Sequence, residues 1–80
     1  LRIKTRKRKD KVVTVSVYED QRFKIERDRL GFYTLYDKAN LQSVYLQGES
    51  ADVFREELRD WHDWHALCDN YTLAMQPLAA

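Results

Sequence analysis

Residues 22–36 read RFKIERDRLGFYTLY. In this stretch Phe23 and Ile25 alternate with charged residues, and Tyr33 and Leu35 alternate with Phe32, Thr34 and Tyr36. Apolar side chains at period two describe strands with one dry face. Between the two runs, Asp28-Arg-Leu-Gly31 has the chemistry of a hairpin turn. Asp suits its first position, and Gly31 tolerates the left-handed backbone such loops need. The centre of the chain is therefore a β-hairpin.

The pattern continues on both sides. Upstream, VVTVSVY (12–18) places Val13, Val15 and Val17 on one face and Val12, Thr14, Ser16 and Tyr18 on the other. Downstream, Asp37-Lys-Ala-Asn40 makes a second turn, and QSVYLQ (42–47) places Val44 and Leu46 inward. The expected strands span about 12–18, 22–27, 32–36 and 42–47. Short links between successive strands favour an antiparallel meander.

After Gly48 the period changes. Ala51, Phe54, Leu58, Trp61, His65 and Cys68 recur at steps of three and four, the signature of one helix face. Ser50 suits the N-cap and Asp52 the first turn, so one helix is predicted over about 51–68. Within the C-terminal segment 71–80, residues 71–76 (YTLAMQ) read as an edge strand or a tail, which Pro77 would end. The expected fold is α+β: an antiparallel meander of about four strands, packed on one face by a single C-terminal amphipathic helix.

Eighty residues make one domain. A chain of this size buries only about 60% of the surface it exposes when unfolded, which leaves little room for a deep cleft. No apolar run approaches the roughly 20 residues of a membrane span, so no membrane association is expected. Cys68 is the only cysteine and has no internal disulfide partner, which points to a reducing, cytoplasmic setting. A chain beginning at Leu1 is expected to be processed or a fragment.

The formal net charge of +1 conceals a division. Residues 1–11 hold seven bases (Arg2, Lys4, Arg6, Lys7, Arg8, Lys9, Lys11) and one acid, a net of +6, and the remainder of the chain sums to −5. This separates a basic arm, 1–11, from a domain, 12–80. Clustered cations of this kind can neutralise nucleic-acid phosphates. They can also guard a strand end or lie on the acidic body.

With one sheet face under the helix, Tyr18, Phe32, Tyr36 and Tyr45 are expected on the other. That is more aromatic surface than a small domain usually leaves wet. Trp64 lies off the helix stripe and is either packing or an interface anchor. Tyr18, Phe32, Tyr36, Tyr45 and Trp64 are accordingly the candidate partner-binding residues.

Catalysis and metal binding find less support. His62, His65 and Cys68 are zinc-ligand types, but steps of three on a helix spread them about 120° around its axis. No metal site, cofactor or catalytic residue is expected. Ser16, Ser43 and Ser50 lie in strand or cap contexts, and only two glycines occur, too few for a phosphate-binding loop.

The stretch VYLQGESADVFREEL, Val44 to Leu58, resembles the strand–turn–helix of small phage- and plasmid-borne proteins, including anti-CRISPR proteins. The resemblance implies a protein that occupies a surface of a host machine without catalysis, and it carries over no functional residue. The basic arm departs from that type, which is often acidic throughout. The leading expectation is a non-enzymatic protein-binding module, an inhibitor or adaptor from a mobile element, with a protein as partner. The alternatives are nucleic-acid binding through Arg2 to Lys11, and a self-associating domain forming a homodimer.

Overall fold

A computed structural model describes residues 14–78. Strands β1 (Thr14–Glu19), β2 (Phe23–Asp28), β3 (Tyr33–Asp37) and β4 (Gln42–Leu46) follow one another as a meander. Helices α1 (Glu49–Asp60) and α2 (Trp64–Asn70), a 3-10 turn (Thr72–Ala74) and a two-residue strand β5 (Gln76–Pro77) complete the chain. The sheet order is β1-β2-β3-β4-β5, with every neighbouring pair antiparallel. The fold is α+β, an antiparallel five-stranded sheet with two helices.

The register places Ile25 beside Leu35 and Leu35 beside Val44, and Tyr33 lies between Arg27 and Leu46. Phe23, Ile25, Tyr33, Leu35 and Leu46 are buried with Ala51 and Phe54 of α1, Leu67 and Cys68 of α2, and Met75. The Phe54 ring meets Tyr33 and Tyr71 edge-on, with centroids 5.1 and 5.3 Å apart. One face of the sheet is thus covered by both helices.

The predicted single helix over 51–68 is interrupted. Trp61 leaves α1 in an extended conformation, and Asp63 caps α2 by accepting a hydrogen bond from the Ala66 amide at 3.2 Å. The indole Nε1 of Trp64 donates to the carbonyls of Leu58 and Trp61, both at 3.1 Å. Those are groups that a helix terminus leaves without partners. Three non-helical residues, Trp61 to Asp63, separate the helices without moving Cys68 off the core side. His65, expected in the stripe, is half exposed, and Leu67 takes the buried place beside Cys68.

Other expectations also change. Helix α1 starts at Glu49 behind Gly48, which has φ 60°, and Ser50 lies in the first turn instead of capping it. The sheet gains a fifth strand, but Tyr71–Met75 forms a turn and the 3-10 segment, not an edge strand. Val17 is half-buried against the core and Val15 is exposed. Val12, Val13 and the basic arm lie outside the described residues.

The largest correction concerns Tyr18. A β-bulge falls between Ser16 and Tyr18, so Ser16 pairs with Glu26 while Tyr18 pairs with Ile25. One extra residue reverses the faces of the residues after it. Tyr18 therefore lies on the helix side, its ring edge-on to Trp64 at 5.8 Å.

Candidate functional site

Two carboxylates fix the end of the sheet where the β1–β2 and β3–β4 turns lie. Asp37 is fully buried. Its oxygens accept from Arg22 Nε and Nη2 at 3.2 and 3.0 Å, Asn40 Nδ2 at 2.9 Å and Gln42 Nε2 at 3.1 Å, and from the amides of Ala39 and Asn40. The Arg22 guanidinium, despite burial, holds the Asp37 carboxyl well below the usual carboxylate range. Asp20 accepts from the amides of Arg22 and Phe23 at 2.7 Å and from the Tyr18 hydroxyl, and it lies 2.8 Å from His65 Nδ1. Burial opposes its charge, but the Phe23 amide and Tyr18 hydroxyl outweigh that and hold it low. The same bond, with burial, pushes the Tyr18 phenol up to about 12.

These clusters tie turns to one another and to α2. Arg22 also reaches Asp69 at 3.7 Å and lies over the Phe23 ring. Lys38 bonds Glu19 and the Asp20 carbonyl, both at 2.7 Å. Their polar groups are used up in mutual bonds, so they serve as structural clamps. His62 lies exposed in the break between the helices, His65 faces Asp20, and Cys68 is buried. Burial pushes the Cys68 thiol up to about 12, far from a reactive thiolate. Among the described residues, no group of three or more metal-ligating side chains gathers. None of their helices is long and apolar enough to cross a membrane.

The opposite face of the sheet is different. The register puts Lys24 and Glu26 of β2, Thr34 and Tyr36 of β3, and Ser43 and Tyr45 of β4 side by side, and no helix among the described residues covers them. The Phe32 and Tyr45 rings meet edge-on, with centroids 6.2 Å apart. Tyr45 is 47% exposed, and its hydroxyl donates to Asp28 at 3.0 Å. Lys24 and Glu26 pair at 3.0 Å. Burial, with the Glu26 carboxylate alongside, raises the Tyr36 phenol.

A groove of about 340 Å³ runs beside Tyr36, lined also by Lys24, Lys38, Leu41 and Leu78. Leu41 is 65% exposed and has φ 53°. The left-handed conformation costs a bulky residue about 1–2 kcal/mol. Here it displays the leucine at the groove while the Leu41 carbonyl accepts from the Leu78 amide at 2.9 Å.

Of the sequence-predicted partner residues, Tyr36 and Tyr45 lie on the open face, and Phe32, half-buried against the core, meets Tyr45 edge-on. Tyr18 and Trp64 belong to the helix side. Sequence reasoning missed Leu41, which falls between the expected turn and strand, and Leu78, which falls in the C-terminal segment. No sequence signal marks them, since Leu30 and Leu73 are also exposed and lie outside the groove.

The family model described as "Protein of unknown function (DUF3567)" matches residues 8–79. The chain belongs to the DUF3567 family. The match takes in the whole described sheet and both helices of this DUF3567 protein, together with residues 8–11 of the basic arm. No curated protein and no solved structure matches the chain.

Proposed function

We propose that this DUF3567 protein is a non-enzymatic protein-binding module whose interface is the helix-free face of the sheet. One observation carries the reading. Tyr36 and Tyr45, with half-buried Phe32 edge-on to Tyr45, share that face with two exposed leucines, while the other face is covered by two helices. Tyr and Phe are enriched in interface cores, and an apolar groove beside a ring is a natural receptor for a partner side chain. The Lys24–Glu26 pair supplies a polar rim of both signs. A buried Cys68 thiol far from its thiolate form and clamped carboxylates support a role without catalysis, and a lone cysteine with no internal disulfide partner suits the cytoplasm. The likeness to anti-CRISPR-type proteins carries no functional residue onto this face.

The test is a photo-crosslinking phenylalanine analogue placed at Tyr45, compared with the same analogue at Glu56 on the outer side of α1. The expected result in host cells is a discrete, nuclease-resistant protein adduct from position 45 only. Equal labelling from both positions, or no adduct from position 45, would contradict the reading.

The charge division of the chain favours a second reading, nucleic-acid binding through Arg2, Lys4, Arg6, Lys7, Arg8, Lys9 and Lys11. Retention on mixed DNA and RNA should then fall steeply with salt. Retention that ignores salt, or its absence at low salt, removes it.

A further inference from the structure

A second groove, independent of the open sheet face, lies beside α1. Its volume is about 400 Å³, and Leu46, Glu49, Ser50, Val53, Tyr71 and Ala74 line it. Val53 is 52% exposed there. At 100° per residue, Glu49, Val53, Glu56 and Asp60 fall on one outward ridge of α1, opposite the stripe of Ala51, Phe54 and Leu58. The ridge thus sets one apolar side chain between carboxylates, beside an apolar hollow.

Charge is divided by layer. Residues 14–48, the sheet, hold five acids and five bases. Residues 49–70, the helices, hold seven acids and two bases, so the whole −5 of the body sits there. Arg55 is engaged by Asp52 at 2.8 Å and by the Gly31 carbonyl at 3.0 Å, and Arg59 lies 3.3 Å from Glu56. Arg27 and Arg29 line a separate hollow at the β2–β3 turn with Val15 and Gly31, where a cation is disfavoured.

The register also fixes where the described chain begins. Thr14 pairs with Asp28, Arg27 with Tyr33, and Tyr33 with Leu46, so the start of β1 and the groove at Leu46 lie at the same end of the sheet. From β1 to β4 is three strand spacings, about 14 Å. Thirteen residues precede Thr14, and an extended chain of that length reaches about 43 Å. Its first eleven carry +6 with apolar Leu1 and Ile3 among the bases.

We propose that the basic segment Leu1–Lys11 docks in cis on the Glu49–Val53–Glu56 ridge of α1, with Ile3 as its apolar anchor in the groove beside Leu46 and Tyr71. Docked, the segment is masked from other polyanions. A nucleic acid or an acidic partner must then displace it.

The test uses the full chain carrying T5C labelled with a nitroxide, which leaves the Ile3 anchor in place; buried Cys68 stays unlabelled. The expected result is selective loss of more than half the amide signal at 49–56, with Lys24 and Glu26 unaffected. Ionic strength of about 1 M, which shortens the screening length to about 3 Å, should restore the signal. A Glu49→Lys/Glu56→Lys double variant should restore it at low salt, with an unchanged far-UV spectrum showing that the fold is intact. Mixing isotope-labelled unspun chain with spin-labelled unlabelled chain separates cis from trans. Broadening in that mixture, on the sheet face instead, or insensitive to both salt and charge reversal would overturn the proposal.

Discussion

The two faces of the sheet are drawn from the same strands and differ by a single step along them. Leu35 and Tyr36 are neighbours; Leu35 is fully buried under the helices, and Tyr36 borders a groove on the open side. On the covered face, apolar packing and one buried carboxylate take the positions of Phe23, Ile25, Tyr33, Leu35, Asp37 and Leu46. On the open face, aromatic rings alternate with an ion pair and small polar side chains. Period-two alternation sorts residues between faces. It does not say how either face is finished. The covered face is finished by α1 and α2, and among the described residues no helix covers the open face, which the proposed function assigns to a partner.

The comparison is sharpened most by removing mass from the covered side. Phe54→Ala should cost about 3–5 kcal/mol, because it empties a site packed by Tyr33 and Tyr71. Urea denaturation measures it, and a loss below about 1 kcal/mol would mean that α1 does not seal this face.

Asp37→Ala should come next at about 2 kcal/mol, because it removes the buried acceptor of the half-buried Arg22 guanidinium and of the Asn40 and Gln42 amides. The acid limb of stability tests the same clamps. Asp20 and Asp37 both ionise below their ordinary value of 3.8. Their contribution is complete above that pH and is lost as pH falls below it. Asp37→Ala should flatten the acid limb of a pH–stability profile; a slope equal to wild type would exclude Asp37 as a source.

Tyr18→Phe tests the bulge. It deletes one partly buried hydrogen bond to Asp20 and should cost about 1 kcal/mol. A neutral result would return Tyr18 to the open face. The smallest effect on stability is expected from Tyr36→Ser, within about 1 kcal/mol of wild type, with loss of the crosslinked partner.

Much of the sheet was legible in the sequence because its alternation is strict. Phe23, Ile25, Tyr33, Leu35 and Leu46, all expected inward, are all buried. The bulge was not legible, because a period-two run that includes one inserted residue looks the same as one that does not. Tyr18 was therefore assigned to the wrong side. The helix break hid behind a stripe that stayed in phase, although Asp63 before Trp64 has the chemistry of an N-cap. Asp37 was read as a turn residue, which it is; its burial depends on Arg22, fifteen positions away, a pairing that local spacing does not carry. Phe32, Tyr36 and Tyr45 of the candidate site were legible by alternation, and Leu41 and Leu78 were not, because they meet only when β5 returns to β4.

The central claim is that one sheet face is core and the other is a binding surface. Leu35→Ser and Tyr36→Ser, adjacent on β3, test it most directly when urea midpoints and the Tyr45 crosslink are measured on both proteins. The account predicts that Leu35→Ser loses several kcal/mol or fails to fold. It predicts that Tyr36→Ser keeps a near-wild-type midpoint and loses the adduct. Equal destabilisation by the two substitutions, or an undiminished adduct in Tyr36→Ser, would contradict it.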